Sequence, residues 1–197
     1  MAYEAKNFDS LLGLTGFSDN MMKNHFTLYN GYVTNTNKIT DALMQMTKDG
    51  KINTPEFAEL KRRLGGEFNG MRLHELYFEN MTKKKTSLSE SNSLYKMRVK
   101  TFGSGQACHE NFVATGSIRG IGWVVMYYDS EGDRLFNVWV NEHDVGHLAG
   151  CTPLLIMDVF EHAFMLDYGL KRADYITAFI NAVDWDVVSQ RFSKAKK

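Results

Sequence analysis

Asp158 leaves the apolar run Leu154-Leu155-Ile156-Met157, and His162 follows four residues later with Glu161 just before it. A carboxylate delivered by an apolar segment is costly unless something pairs with it. Aspartate and histidine together are ligands for a borderline transition metal. Of the six histidines, His25 and His74 also stand out, because both fall on the apolar stripe of a helical pattern. A buried imidazole needs a partner for each ring nitrogen, and a metal on one with a carbonyl or carboxylate on the other is one solution. Three imidazoles and one carboxylate suit iron or manganese and leave a position open for solvent or substrate. Taken singly, each histidine reads more readily as a core or surface residue than as a ligand, and nothing in the spacing alone makes the four meet.

The elements that must position them follow from periodicity. From Phe17 the apolar residues recur at helical spacing through Met21, Met22, His25, Leu28, Tyr29, Tyr32 and Val33, with Ser18-Asp19 as the cap. Thr34-Asn35-Thr36-Asn37 is expected to break this helix, with a second segment resuming through Ile39, Leu43 and Met46. Thr54-Pro55-Glu56 opens another helix, in which Glu59 can pair with Arg63. Gly65-Gly66 is expected to stop or kink it before a helix carrying Phe68, Met71, His74, Phe78 and Met81. Lys83 to Ser93 is polar and reads as the boundary between two domains, residues 1–85 and 93–197. Helices follow near Leu94–Thr101 and Gln106–Ala114. Two runs rich in Trp, Val, Tyr and Phe, Gly122–Tyr128 and Arg134–Val140, flank the turn Asp129-Ser130-Glu131-Gly132-Asp133 and read as a hairpin. A loop with His143 and His147 leads to a third strand at Pro153–Met157. Helices are expected at Phe160–Tyr168, Asp174–Ala182 and Trp185–Phe192. The fold class is α+β: a helical N-terminal half, then helices around a small three-stranded sheet.

Composition narrows the partners. Lys+Arg and Asp+Glu both number 23, so nothing in the charge balance points to nucleic acid or a membrane surface. Lys83-Lys84-Lys85 is short and reads as a solvated loop. No apolar stretch approaches the ~20 residues of a membrane helix, and Met1-Ala2-Tyr3-Glu4-Ala5-Lys6 lacks the apolar core of a leader. Cys108 and Cys151 form no paired motif and read as free thiols in a reducing compartment, the cytoplasm.

The stretch Asp158-Val159-Phe160-Glu161-His162-Ala163-Phe164 resembles the Asp-x-Trp-Glu-His-Ala signature of the iron/manganese superoxide dismutases. The likeness extends through Leu166-Asp167-Tyr168, Arg172-Ala173-Asp174-Tyr175 and Asn181-Ala182-Val183-Asp184-Trp185. It also covers Phe68-Asn69-Gly70 to Phe78, Met22 to His25, Tyr32 to Asn35, and Gly120 to Trp123. The resemblance implies a helical hairpin domain followed by an α+β domain, with the metal between them. It implies His25, His74, Asp158 and His162 as ligands of one iron ion per subunit, or manganese, and superoxide as substrate. It also implies a homodimer, or a tetramer built from one, in which Glu161 of one subunit reaches His162 of the other.

The chain departs from the family pattern around those ligands. The outer Gln is missing at both of its usual places, Gly70 and the Asn141–Asp144 loop, so His143 is expected as the donor to solvent on the metal, with His147 as its rival. The spacing from His25 to the following Tyr-Val is one residue short, which would remove a π-bulge. Tyr32 is then the expected active-site tyrosine, with Tyr29 as the alternative. The gateway His has no counterpart, and Met165 replaces its aromatic partner. Phe160 and Phe78 stand for tryptophans in the wall around the metal, and Trp123 is kept. Arg172 matches a position near the entrance, where it either attracts the anion or makes a structural ion pair. Two further readings follow from the departures: a catalytically silent metal-binding homologue, and, on ligand types alone, a non-haem iron oxygenase, against which a fourth ligand at His25 argues.

Overall fold

Ser18 and Thr54 open the two long helices of the chain. The Ser18 hydroxyl accepts from Met21 N, and the Thr54 hydroxyl from Phe57 N with Pro55 at the first helical position. The computed structural model describes residues 2–196. Helix α1 runs Asp19–Lys48 and α2 runs Pro55–Glu79, packed against each other as a hairpin. After a non-helical stretch come α3 (Ser93–Phe102), α4 (Gly105–Gly116), β1 (Gly122–Asp129), β2 (Arg134–Asn141) and β3 (Thr152–Asp158). The short α5 (Met165–Tyr168), α6 (Arg172–Ala182) and α7 (Trp185–Ala195) complete the order. The sheet is antiparallel throughout, in the order β2-β1-β3. The fold is therefore the α+β arrangement read from the pattern, helices before and around a three-stranded sheet.

Two expected breaks do not occur. Helix α1 continues through Thr34-Asn35-Thr36-Asn37, where Thr34 and Thr40 bond their hydroxyls back to the carbonyls of Asn30 and Thr36 within the helix. Thr36 is itself buried, and the Asn37 amide exchanges two hydrogen bonds with the Tyr3 backbone. Helix α2 likewise continues through Gly65-Gly66. Each helical glycine costs only about 1 kcal/mol relative to alanine, which the tertiary packing of the whole helix overrides. The Arg63 partner is Glu67 at 3.2 Å, while Glu59 pairs with Arg62. The segment expected as one helix over Phe160–Tyr168 is instead a 3-10 turn at Glu161–Ala163, then α5, with Phe164 between them outside helical geometry.

What ties the helical hairpin to the sheet lies close to the site. Asn80, at the end of α2, donates to Ile156 O and accepts from Ile156 N on β3. Arg191 of α7 donates to Leu76 O and Leu154 O and pairs with Glu79. On the central strand, Trp123 stands opposite Val140 on one side and Asp158 on the other. A register shift between Met126 and Tyr127 leaves Leu154 as the extra residue of a bulge on β3.

Candidate metal centre

Four side chains converge where the hairpin meets the sheet. His25 comes from α1, His74 from α2, Asp158 from the end of β3 and His162 from the turn after it. The candidate ligand atoms all lie within 4.8 Å of one another. The Nε2 atoms of His25 and His162 are 3.2 Å from Asp158 Oδ2, and that of His74 is 3.6 Å away. His25, His74 and Asp158 are buried. Asp158 is held in place from behind: its Oδ1 accepts from Phe160 N at 2.8 Å, and its carbonyl from the Tyr175 hydroxyl at 2.6 Å.

The proton positions make this a site for a cation. His74 Nδ1 is 2.5 Å from Gly70 O, and a carbonyl can only accept, so Nδ1 carries the proton. Burial, with the neighbouring His25 adding to it, holds the His74 ring well below the ordinary imidazole value, so the ring is neutral. Its Nε2 therefore presents a lone pair, and that atom is buried without a hydrogen-bond partner. Burial also lowers His25, although Asp158 opposes it. Burial alone would raise Asp158, but His162 and His25 outweigh it and hold the carboxyl well below its usual range. A neutral imidazole with its lone pair turned inward, beside an ionised carboxylate, is the kind of donor set a transition metal needs. The unpartnered Nε2 of His74 and the 3N+1O donor set fit iron or manganese.

Aromatic rings wall the cluster. Phe78 lies 5.0 Å from the His25 ring, Trp123 4.9 Å from His74, and Phe160 stacks on both His162 and His143. Next to it lies a cavity of about 210 Å³ lined by Tyr32, His143, Phe160, Ile121, Arg63, Gly66, Glu67, Glu142 and Asp144. The Tyr32 hydroxyl is 2.6 Å from His143 Nε2, and Trp123 Nε1 donates to His143 Nδ1 at 3.0 Å. Indole N–H is a donor only, so His143 Nδ1 must accept. Burial lowers His143, and the neutral ring then carries its proton on Nε2 and donates it to Tyr32. That leaves the Tyr32 hydroxyl proton directed elsewhere. Burial first, then the charges of Asp158 and Glu67, push the Tyr32 phenol up to about 12.

The residues named from the sequence fall in distinct places. Tyr32 lines the cavity and stacks on His74 at 5.2 Å. Tyr29 is fully buried, donates to Glu75 and accepts from Lys6 N, away from the cavity. Helix α1 is α-helical throughout, without a π turn. His143 is at the cavity, whereas His147 is behind it. Glu161 is exposed beside the half-buried His162. Arg172 makes no ion pair among the described residues: it donates to the carbonyls of Ile118, Gly120 and Val159 at 3.0, 3.0 and 2.6 Å. Sequence reasoning missed Arg63 and Glu67 at the cavity; their i,i+4 spacing on α2 was the available signal. It named Gly70 as a place where the outer Gln is missing but not its packing role: a Cβ there would lie 2.5 Å from the Tyr32 ring.

The C-terminal domain model of the iron/manganese superoxide dismutases matches residues 90–191. A protein of Cupriavidus metallidurans named superoxide dismutase (Fe) is 35% identical over 191 residues, covering 92% of this chain and 91% of that protein. One of Aquifex pyrophilus with the same name is 34% identical, covering 93% and 88%. Superoxide dismutase (Mn) 2 of Haloferax volcanii is 34% identical, covering 87% and 84%.

Proposed function

Since this chain belongs to the iron/manganese superoxide dismutase family and its activity is the disproportionation of superoxide, we propose that the reaction runs at the His25, His74, Asp158 and His162 cluster. The observation that carries this assignment is the buried, unpartnered His74 Nε2 aimed among the other three donors. Held by His25, His74, Asp158 and His162, a metal ion would supply the one-electron redox chemistry by which two superoxide ions and two protons become dioxygen and hydrogen peroxide.

The chain's own residues do the rest. Tyr32 is the proton donor at the cavity: its hydroxyl already accepts from His143, so its own proton is free for the reduced oxygen species. His143 is the outer hydrogen-bonding residue, held by Trp123 so that its Nε2–H faces the tyrosine. Phe78, Phe160 and Trp123 exclude water from the ligands. Arg172 braces Val159 next to Asp158 rather than receiving the anion. Arg63 is the cation lining the cavity, and it receives superoxide there.

Iron is the resident ion in this reading. Relatives named for iron and for manganese match the chain at nearly the same identity, 34–35%, so reconstitution with each metal separately decides between the two. We also propose a homodimer. Exposed Met165, Leu166 and Leu170 adjoin Glu161 and His162, and neither Glu161 nor the second nitrogen of His162 has a partner among the described residues. Glu161 of one copy would accept from His162 of the other and fix its ring. The non-helical stretch between Glu79 and Ser93 supports dividing the chain into domains 1–85 and 93–197. No helix among the described residues is long and apolar enough to cross a membrane. The two unpaired cysteines support a cytoplasmic location.

Metal analysis of the purified protein with a superoxide-consumption assay tests the reading. One ion per chain and fast consumption are expected, with both lost in His74→Ala. Bound metal without dismutation would favour the silent homologue.

A further inference from the structure

His147 lies outside the cavity, four residues beyond His143. Its Nε2 is 2.8 Å from the His143 carbonyl oxygen, and its Nδ1 is 2.6 Å from the Tyr127 hydroxyl. Because the carbonyl only accepts, His147 Nε2 must carry a proton. In the neutral ring Nδ1 is then the acceptor, and Tyr127 donates to it. Tyr127 is buried on β1, directly at the register shift. The central strand therefore grips His143 twice. Trp123 donates to its ring, and Tyr127 acts through His147 on its backbone.

The segment has reason to need the second grip. His143 sits on a tight reversal closed by hydrogen bonds between Asn141 and Val145. Glu142 takes a left-handed backbone (φ 51), which costs a non-glycine residue about 1–2 kcal/mol. Gly146 is at φ 105, where a Cβ would lie 2.9 Å from Trp139 O. Among the described residues, the His143 carbonyl has no backbone partner; His147 is what holds it.

We propose that His147 is a positioning residue: by pinning the His143 carbonyl to β1 it fixes the His143 ring, and through it the Tyr32 hydroxyl. The proposal rests on the superoxide reading only for its consequence in turnover. Its primary test needs neither metal nor superoxide. In metal-free protein, ring-nitrogen NMR is expected to show single tautomers, with His147 and His143 both protonated at Nε2 and bare at Nδ1. In His147→Ala the His143 signals should average between tautomers, and the Trp123 indole N–H should shift and exchange faster. In metal-loaded protein, azide affinity and turnover should fall roughly tenfold, the scale of a lost outer hydrogen bond at a metal site. His147→Gln offers a donor and an acceptor on one planar amide and should restore the His143 tautomer and the azide affinity. Should the alanine variant not fold, Tyr127→Phe should loosen His143 in the same sense by a smaller amount. A folded His147→Ala protein, or a Tyr127→Phe protein, with an unchanged His143 tautomer and Trp123 N–H would overturn the proposal while leaving the superoxide reading intact. Loss of dismutase activity in wild-type protein with the tautomers as expected would do the reverse.

Discussion

Replacing Gly70 by alanine should change sign with the residue at position 32. An alanine Cβ at position 70 would lie 2.5, 2.7 and 2.9 Å from three atoms of the Tyr32 ring, well inside contact distance. The ring must swing away, and the Tyr32–His143 bond of 2.6 Å goes with it. Overpacking of this kind costs about 1–3 kcal/mol, and a lost hydrogen bond adds about 1 kcal/mol. Against this, alanine inside helix α2 gains about 1 kcal/mol over glycine. The net is a loss of about 2 kcal/mol, a drop in Tm of roughly 4–8 °C for a chain of this size. With Tyr32→Ala already in place the clash is gone and only the helical gain remains, so Gly70→Ala should then stabilise by about 1 kcal/mol. The coupling between the two sites is therefore about 3 kcal/mol, at the upper end for residues in contact. Thermal and urea unfolding of the four proteins, all metal-free, measure it. Equal effects of Gly70→Ala in both backgrounds would refute the packing argument and the claim that glycine is there to admit the tyrosine.

Tyr32→Phe should slow turnover while leaving metal content unchanged, whereas Tyr29→Phe should keep turnover and lose about 1 kcal/mol of stability with its bond to Glu75; slowing by the Tyr29 change alone would reverse the assignment. Burial pushes both Tyr29 and Tyr127 up to about 12. Their stabilising contribution is therefore intact below about pH 10, the unfolded value, and is lost as pH rises through 12. Circular dichroism and absorbance at alkaline pH should show structure persisting past the ordinary phenol pKa and failing above it, with tyrosinate appearing at pH 10 from both residues as the contrary result. Arg63→Glu should lower kcat/KM several-fold at low ionic strength, a deficit that shrinks as salt shortens the screening length; a deficit independent of salt would remove Arg63 from the path of the anion.

His25, His74 and Asp158 were visible in the sequence because each sits on a periodic element, and His162 because it follows Asp158 by four residues with Glu161 before it. His25 and His74 fall on apolar helical stripes, and Asp158 ends an apolar strand. Their types then restrict the chemistry, and the family likeness joined them. Local signals misled where packing competes with propensity. Thr34-Asn35-Thr36-Asn37 and Gly65-Gly66 look like helix breakers, yet both helices run through them, packed together as a hairpin. The cavity was illegible for a different reason. Arg63, Glu67, Glu142 and Asp144 meet across two distant segments, and nothing local brings a loop residue against a helix. Arg172 was visible as a charge, but its three carbonyl partners are backbone atoms that no side-chain pattern reveals.

The most direct test of the metal centre is an anomalous difference map from crystals of the metal-loaded protein, recorded across the iron and manganese absorption edges. The expected result is one peak per chain, at bonding distance from the Nε2 atoms of His25, His74 and His162 and from Asp158 Oδ2. A peak bound by other side chains, or loading that leaves these four donors without a peak, would contradict the account.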